Sequence, residues 1–424
     1  MARKNSEKHI LVYLDCGLAS TPLKLGELIA YPASGGEVFE FEYANGALAH
    51  PLLQAFQLDP DITLYSGKQY CPNGRANFGM FLDGAPDRWG RMLMNRRLER
   101  DKRADLVAKS TNLVESDYLL GVHDGFRVGA LRFKLSEGGH YLDNNEGRAA
   151  PPLVRLRELE QASAALEADT ANDARLDEWL RILLAPGGSL GGARPKASVV
   201  DPDGQLMIAK FPSKRDTTDV GAWEVVVSTL AMQCGIRVPA ARIIRFSNEY
   251  ASFLVNRFDR AKDGTRTHFA SAMTLIGHQD GDGASYLEIA KVLITQGADT
   301  TSDLIELWTR IVFNMMVSNT DDHLRNHGFL LVPGKGWRLA PAYDMNPVPN
   351  SPELTLHVSE HDNMRDIDLA LSVAPIFRVN QPDAQAIIAK VRSVVRQWRA
   401  IATGAKIPRA EQDSMASAFA LAEV

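Results

Sequence analysis

The chain has 424 residues, 45% of them hydrophobic and 23% charged, which is typical of a folded globular protein with a sizeable core. The net charge of −5 at pH 7 argues against a protein that coats nucleic acid by bulk electrostatics. The three cysteines lack disulfide or zinc-ligand spacing, the N-terminus lacks an apolar signal region, and no stretch is long enough to span a bilayer, so we expect a cytoplasmic protein.

The N-terminal part is predicted to contain a small antiparallel sheet, because residues 9–15, 27–31 and 37–43 have the composition of strands. The last of these strands carries aromatic residues on one face, which should be buried. A loop over residues 79–86 should lead into a basic helix that starts near Asp87, a suitable N-cap. We interpret the positive charge of this helix as a solvated face rather than as a nucleic-acid contact.

A strand within residues 125–134 closes this region, and a polar stretch rich in glycine and proline predicts a domain boundary near residue 148. Two helical patterns follow at 155–168 and 175–185. Next comes a glycine-rich segment over residues 185–196, whose backbone N–H groups could close around phosphate oxygens. A strand rather than a helix follows it, which is the arrangement of a protein-kinase glycine loop and not of a P-loop; the alternative is a surface loop without a ligand.

A lysine and a glutamate after this segment fit the same pattern. Lys210 ends the predicted strand 205–211, from which its amine could reach the phosphates of a nucleotide. Glu224 is the only carboxylate in the predicted helix 221–234. A Lys–Glu ion pair of this kind holds the phosphate-binding lysine in protein kinases, whereas each residue alone would be an ordinary surface charge.

The rest of the chain divides into a short β-rich part and a helical part. Strands within residues 242–246 and 251–260 complete a β-rich lobe. Helices are predicted at 285–297, 301–318 and 383–402, and the middle one has a broad apolar face that should be buried. This order predicts the α+β fold class.

Three polar residues of the helical part form a set. Asp321 and Asn326 have the D-x-x-x-x-N spacing of a protein-kinase catalytic loop. Residues 328–340 read as a hairpin that would return Asp344 to that loop. Phosphoryl transfer needs a carboxylate facing the acceptor hydroxyl, for which Asp321 is suited, and oxygen ligands for Mg²⁺, for which Asn326 and Asp344 are suited. The alternative is that Asp and Asn occur here as ordinary turn residues.

Taken together, these segments resemble the HipA family, the serine/threonine-kinase toxins of bacterial toxin–antitoxin systems. The resemblance covers nearly the whole chain and rests on Pro86-Asp-Arg-Trp-Gly90, Val128-Gly-Ala-Leu-Arg132, Gly188-Ser-Leu-Gly-Gly-Ala-Arg-Pro-Lys196, Val255-Asn-Arg-Phe-Asp-Arg260, Asn319-Thr-Asp-Asp-His-Leu-Arg-Asn326 and Ala340-Pro-Ala-Tyr-Asp-Met-Asn-Pro347. It implies a protein-kinase-like two-lobed fold, with an extra N-terminal subdomain over residues 1–148 and a kinase domain over 149–424. The kinase domain would divide into a β-rich nucleotide-binding lobe, 149–260, and a helical catalytic lobe, 261–424.

The resemblance implies ATP and Mg²⁺ as cofactors and transfer of phosphate to a protein serine or threonine. Asp321 would be the catalytic base, and Asn326 and Asp344 would be the metal ligands. The nucleotide contacts would come from Ser189, Gly191, Gly192, Ala193, Arg194, Lys196, Lys210, Glu224, Asn256, Arg257, Phe258, His323 and Asn326. Ser189 would also be the site of autophosphorylation, which silences kinases of this family.

The resemblance also implies partners. Substrates in the family include aminoacyl-tRNA synthetases, and the family partner is a helix-turn-helix antitoxin that binds DNA, so we expect DNA contact only through such a partner. Arg194-Pro195 and Asn256 depart from residues that some members carry, but neither departure removes a catalytic group. Two alternatives to a protein kinase remain: a kinase-fold enzyme that acts on a small molecule, and a silenced kinase that binds an antitoxin as a co-repressor.

Overall fold

The computed structural model describes residues 7–17, 21–54, 57–145, 150–168, 179–180, 183, 192–246 and 250–424. The chain packs as two compact units: unit one contains Met1–Lys214 and Asp259–Ala270, and unit two contains Arg215–Phe258 and Ser271–Val424. Both units contain strands and helices, which confirms the α+β class. The domain boundaries predicted at residues 148 and 260 stay predictions. In the part of the chain that the structure describes, no helix is both long and apolar enough to cross a bilayer.

The predicted N-terminal sheet is confirmed in unit one. Its strands are β1 Lys8–Leu14, β2 Leu23–Ala33, β3 Gly36–Tyr43, β4 Gln69–Tyr70 and β5 Leu131–Lys134. They pair antiparallel in the order β4-β3-β2-β1-β5. Phe39, Phe41 and Tyr43 of β3 are buried, as the alternation of side chains predicted. The strand β5 is shorter than the predicted 125–134, because a 3₁₀ turn over Asp124–Phe126 precedes it.

The described helices of unit one are α1 Pro51–Gln54, α2 Gly79–Asp83, α3 Arg88–Arg103, α4 Glu115–Leu120 and α5 Leu156–Glu167. The helix α3 begins where predicted, because the Asp87 carboxylate accepts a hydrogen bond from the N–H of Gly90 at 2.9 Å. The prediction of a loop over 79–86 was wrong in its first half, since α2 forms there and buries Met80 and Phe81.

The helix α5 confirms the helical pattern predicted at 155–168. The helix predicted at 175–185 lies almost entirely outside the described residues.

A hairpin follows the glycine-rich segment, as predicted. It consists of β6, Lys196–Val200, and β7, Leu206–Lys210, and its register pairs Lys196 with Lys210. The Asp201 side chain holds the turn, because it accepts hydrogen bonds from the backbone N–H groups of Asp203 and Gln205 at 2.9 and 2.8 Å. The hairpin therefore places two lysines that were predicted to contact nucleotide at the same end.

Unit two begins with helix α6, Val220–Cys234, and a hairpin of β8, Ala241–Ile244, and β9, Ser252–Asn256. The helix α6 ends at Gly235 as predicted, because the φ of +92° at that position favours glycine. The short strand β10, Phe269–Ser271, lies where the chain returns to unit two.

The other described helices of unit two are α7 Ala272–Ile276, α8 Tyr286–Gln296, α9 Thr300–Val317, α10 Ile367–Val373, α11 Gln381–Val395, α12 Trp398–Gly404, α13 Arg409–Met415 and α14 Ala420–Glu423. The helix α9 is the buried central helix that the sequence predicted, with Trp308 fully buried. The single helix predicted at 383–402 was wrong, because a turn at 396–397 separates α11 from α12. After this turn, the Trp398 ring stacks on Phe419 with ring centroids 4.4 Å apart.

A second predicted hairpin is confirmed in unit two. It consists of β11, Gly328–Val332, and β12, Gly336–Leu339. Asp303 of α9 is 0% exposed and ties β12 to the central helix. Its carboxylate accepts hydrogen bonds from the N–H of Leu339 at 2.9 Å and from the Arg338 guanidinium at 2.8 Å. A buried charge must be paired, and the partners of Asp303 include the last two residues of β12. These hydrogen bonds hold the end of the hairpin against α9.

Candidate active site

The catalytic-loop motif follows α9 directly. Ser318, with a φ of +55°, turns the chain out of the helix. The Asn326 side-chain amide then donates a hydrogen bond from Nδ2 to the backbone oxygen of Asp321 at 3.0 Å. This bond orients the amide and leaves Oδ1, the atom suited to a metal, on the opposite side of the amide group. Asp321 is exposed, whereas Asn326 is buried, so the carboxylate is accessible to solvent and the amide is held inside the loop.

Asp344 lies beside this loop because hydrogen bonds tie its neighbours to it. The Tyr343 hydroxyl donates to the backbone oxygen of Arg325 at 2.7 Å. The N–H of Asn346 donates to the side-chain oxygen of Asn319 at 3.0 Å. Asp344 itself has a φ of +58°, a left-handed conformation that Asp adopts more readily than most residues. The structure therefore brings together the three residues that the sequence singled out.

The acidic groups at this loop affect one another. Partial burial raises the pKa of Asp321, the neighbouring His323 lowers it, and the carboxylates of Asp344 and Asp322 raise it further. The negative charges of neighbouring carboxylates repel one another, and a cation bound between them is stabilised by both. The Asp344 carboxylate and the Asn326 amide oxygen are hard ligands that fit Mg²⁺.

Sequence reasoning missed a buried polar network beneath the loop. One oxygen of the Asp322 carboxylate accepts hydrogen bonds from the Tyr286 hydroxyl at 2.5 Å, from Asn314 at 2.9 Å and from Nε2 of His327 at 2.8 Å. Asn319 extends the network by donating to Asn314 at 3.1 Å. Burial opposes ionisation of Asp322, but the interactions with His327 and Tyr286 lower its pKa overall. The signal in the sequence is a D-x-x-x-x-H spacing that repeats the D-x-x-x-x-N spacing one residue later.

The predicted hinge residues also lie in unit two. Asn256 ends β9, Arg257 is buried, and the Phe258 ring packs near Tyr343 with ring centroids 5.7 Å apart. Glu224 of α6 is 5% exposed, so its carboxylate is not a solvated surface charge. The roles of these residues toward a nucleotide stay predictions.

The described end of the glycine-rich segment, residues 192–196, is anchored by a buried ion pair. The Lys196 ammonium lies 2.7 Å from the Asp87 carboxylate, and both side chains are only 6% exposed. The backbone oxygen of Lys196 accepts a hydrogen bond from the Trp89 indole at 3.0 Å. Gly192 has a φ of +98° and its carbonyl oxygen lies 3.4 Å from the Lys196 ammonium. The start of α3 and the base of the glycine loop are therefore joined.

Some of the other predicted nucleotide contacts lie outside the described residues. Ser189 and Gly191 lie outside the described residues. Lys210 is the last residue of β7 in unit one, whereas Glu224 belongs to unit two, so their ion pair stays a prediction.

With this geometry established, similarity to known proteins defines the family. Residues 188–398, about half of the chain, match the family model of the HipA-like C-terminal domain. The matched region includes the candidate catalytic loop and Asp344. The chain therefore belongs to the family of proteins with a HipA-like C-terminal domain, which confirms the resemblance seen in its sequence.

Two curated relatives match parts of the chain. A Haemophilus influenzae protein named "Putative kinase" is 26% identical over 189 residues, which are 40% of this chain and 55% of the relative. A Sinorhizobium fredii protein named "Putative kinase Y4dM" is 27% identical over 157 residues, which are 34% of this chain and 37% of the relative. The chain thus matches about half, or less, of the length of these relatives.

A solved structure matches almost the whole chain. It is the complex of HipA, HipB and operator DNA from the toxin–antitoxin system of Shewanella oneidensis MR-1. The alignment has a TM-score of 0.66 at 16% identity and covers 98% of this chain and 96% of the other. The two chains therefore share a fold.

Proposed function

We propose that this protein is an ATP- and Mg²⁺-dependent serine/threonine protein kinase of the HipA toxin type. The observation that carries the proposal is the arrangement of Asp321, Asn326 and Asp344 at one loop of unit two. The amide of Asn326 is oriented by the backbone of Asp321, and the Asp344 charge contributes to the raised pKa of Asp321. The kinase names of two relatives support the same activity.

Each of the three residues has one role in the proposed reaction. Asp321 accepts the proton of the acceptor hydroxyl as that oxygen bonds to the γ-phosphorus of ATP, while the bond from this phosphorus to the bridging oxygen breaks and ADP leaves. The Asn326 amide oxygen and the Asp344 carboxylate hold Mg²⁺, which when bound neutralises charge on the phosphates. Lys210, held by Glu224, binds phosphate, and residues 256–258 contact adenine. The remaining contacts come from Ser189, Gly191, Gly192, Ala193, Arg194, Lys196 and His323.

The proposed substrates are proteins. We propose that the kinase modifies a cellular protein of the aminoacyl-tRNA synthetase class, and also its own Ser189. A helix-turn-helix antitoxin would relieve the inhibition of growth and would provide contact with DNA. The presence of HipB and operator DNA in the Shewanella complex supports this choice of partner. The proposed location is the cytoplasm.

Intact-mass spectrometry after incubation with Mg²⁺ and ATP tests the proposal. Wild type, Ser189→Ala and Asp321→Asn are compared. We expect one added phosphate on wild type and none on either variant, because one variant lacks the acceptor and the other lacks the base.

Three other results would contradict parts of the proposal. A phosphate on Asp321→Asn would show that another group is the base. A wild type that binds ATP, but phosphorylates neither itself nor any protein of a cell lysate, would favour a small-molecule substrate. A wild type that binds no ATP would favour the silenced, antitoxin-binding protein.

A further inference from the structure

We propose that Asp322 and His327 are positioning residues of the transfer reaction. Their buried contact clamps the catalytic loop from beneath, and together with Asn314 and Asn319 it sets the spacing of the functional side chains. This inference rests on the proposed kinase function and adds residues that act through the loop rather than on the substrate.

The clamp spans the same interval as the functional pair above it. Asp322 follows Asp321, and His327 follows Asn326, so both pairs are five residues apart. The Nε2 atom of His327 lies 2.8 Å from the Asp322 carboxylate, and these two side chains are 3% and 4% exposed. A single 3₁₀ turn over Leu324–Asn326 connects the two ends. Because the loop is this short, fixing the pair of Asp322 and His327 also fixes the positions of Asp321 and Asn326.

The same network continues to the segment that carries Asp344. The amide nitrogen of Asn314 donates to Asp322 at 2.9 Å, and the amide nitrogen of Asn319 donates to Asn314 at 3.1 Å. The side-chain oxygen of Asn319 then accepts a hydrogen bond from the N–H of Asn346 at 3.0 Å. A continuous series of hydrogen bonds therefore runs from beneath Asp321 to within two residues of Asp344.

The charge at one end of the clamp suits a carboxylate. One oxygen of Asp322 accepts from three donors, Tyr286, Asn314 and His327. Hydrogen bonds to an ionised acceptor are stronger than those to a neutral amide oxygen, so the charge of Asp322 strengthens all three contacts. The other ring nitrogen of His327, Nδ1, is buried and has no hydrogen-bond partner among the described residues. The His327 ring is therefore held through the hydrogen bond of Nε2 to Asp322. The side-chain amide nitrogen of a glutamine can donate the same hydrogen bond.

A glutamine at position 327 keeps the N–H donor to Asp322 and a leucine removes it, so the two variants test the role of this hydrogen bond. The rate of autophosphorylation is measured against ATP concentration in His327→Leu, which removes the donor, and in His327→Gln, which keeps it. We expect His327→Leu to lower the maximal rate about 10²-fold, the effect of a ~1 Å displacement of a reacting group. Half-saturating ATP should also rise, because Asn326, a proposed Mg²⁺ ligand, moves with the loop. His327→Gln should recover most of the rate. Tyr286→Phe removes one of the three donors to Asp322 and should give an intermediate loss.

Asp413→Asn is a matched control, because Asp413 is an exposed carboxylate paired with Arg399 at 2.8 Å. Its rate should equal that of wild type. A purely structural role predicts that both His327 variants melt at lower temperature yet reach the wild-type maximal rate while folded. That result would overturn the inference, as would an equal loss in His327→Leu and His327→Gln.

A second readout does not depend on activity. Hydrogen exchange of the backbone amides of residues 320–327 should be faster in His327→Leu than in wild type, and unchanged in His327→Gln and Asp413→Asn. If wild type transfers no phosphate, the proposed kinase function fails and exchange alone decides whether the clamp fixes the loop. Unchanged exchange in His327→Leu would overturn the inference in either case.

Discussion

Two buried acid–base pairs contact the catalytic-loop motif and the end of the glycine-rich segment, the two regions that the proposed kinase function requires, and the chain builds them differently. In unit one, Lys196 and Asp87 are 109 positions apart in the sequence and 2.7 Å apart in the structure. In unit two, His327 and Asp322 are five positions apart and 2.8 Å apart. The short-range pair supports a loop whose functional residue, Asp321, remains exposed. In the long-range pair, by contrast, the buried cation is Lys196, which itself belongs to the glycine-rich segment.

Residue types and spacing therefore identify a loop but do not assign a ligand to every charge in it. Lys196 matches a phosphate-binding position, yet its ammonium is buried against the Asp87 carboxylate. To contact a phosphate, the Lys196 ammonium would have to bind the phosphate and the Asp87 carboxylate together, or break its contact with Asp87. Asp321 needs no such change, because the network beneath it is complete without it. Variants of Asp321, Asp87, Asp344 and Tyr343 test this contrast.

The largest effect is expected at the exposed residue. Asp321→Asn should lower phosphate transfer by about 10²–10⁴-fold, the usual contribution of a positioned base. Its melting temperature should not fall, because partial burial and the neighbouring carboxylates already disfavour the charge that the variant removes. Rate measurements and thermal denaturation check the two statements. A variant that unfolds more readily than wild type would show that Asp321 has a structural role.

The second effect tests the long-range pair. Asp87→Asn leaves the buried Lys196 ammonium without this carboxylate, which should destabilise the protein by ~3–5 kcal/mol. The double variant Asp87→Asn, Lys196→Met removes both charges and should recover most of the loss. Urea denaturation measures both free energies of unfolding. A double variant as unstable as the single one would show that the ion pair is not the cause.

The ATP affinity of the same double variant decides the second role of Lys196. If its ammonium contacts phosphate, as the sequence predicted, the affinity should be weaker although stability has recovered. An unchanged affinity would contradict that prediction and would leave Lys196 as an anchor of the loop.

The third prediction concerns pH. Partial desolvation and the neighbouring carboxylates raise the pKa of Asp321, so in the protein without Mg²⁺ and nucleotide this carboxylate should become protonated at a higher pH than an ordinary aspartate, whose pKa is about 3.9. Asp344→Asn removes one charge that raises this pKa and should therefore lower it. Carboxyl NMR titration of Asp321 without nucleotide measures the change. An identical pKa in both proteins would show that the two carboxylates do not interact.

The smallest effect is expected between the loop and the Asp344 segment. Tyr343→Phe removes the hydrogen bond to the backbone oxygen of Arg325 but keeps the ring near Phe258. We expect the free energy of unfolding to fall by about 1 kcal/mol. Tyr65→Phe is the control, because Tyr65 is exposed and its hydroxyl donates a long hydrogen bond of 3.4 Å to the backbone oxygen of Lys68. Equal losses in the two variants would contradict a specific role for Tyr343.

The parts of the fold that local chemistry dictates could be predicted from the sequence. The hairpin of β11 and β12 follows from two apolar runs around a Pro-Gly turn, and the end of α6 follows from the left-handed conformation of Gly235. The N-cap role of Asp87 follows from its position before a helical pattern. Because the hairpin was predictable, so was the return of Asp344 to the loop.

The parts that depend on packing could not be predicted. Asp87 caps α3 with one oxygen, but its other oxygen meets Lys196, and no local pattern shows a contact over 109 positions. The partners of Asp322 include Tyr286 of α8 and Asn314 of α9, which meet only after the helices pack. The break between α11 and α12 contains neither Pro nor Gly, so nothing in the local sequence predicted it.

The most direct test of the central claim separates ATP binding from phosphate transfer. Isothermal titration calorimetry with ATP, in the presence and absence of Mg²⁺, is carried out on wild type, Asp321→Asn and Asp344→Asn. We expect Asp321→Asn to bind ATP with Mg²⁺ as wild type does, because Asp321 acts on the acceptor. We expect Asp344→Asn to bind more weakly and to lose the benefit of Mg²⁺. An equal loss of binding in both variants would contradict the division of roles.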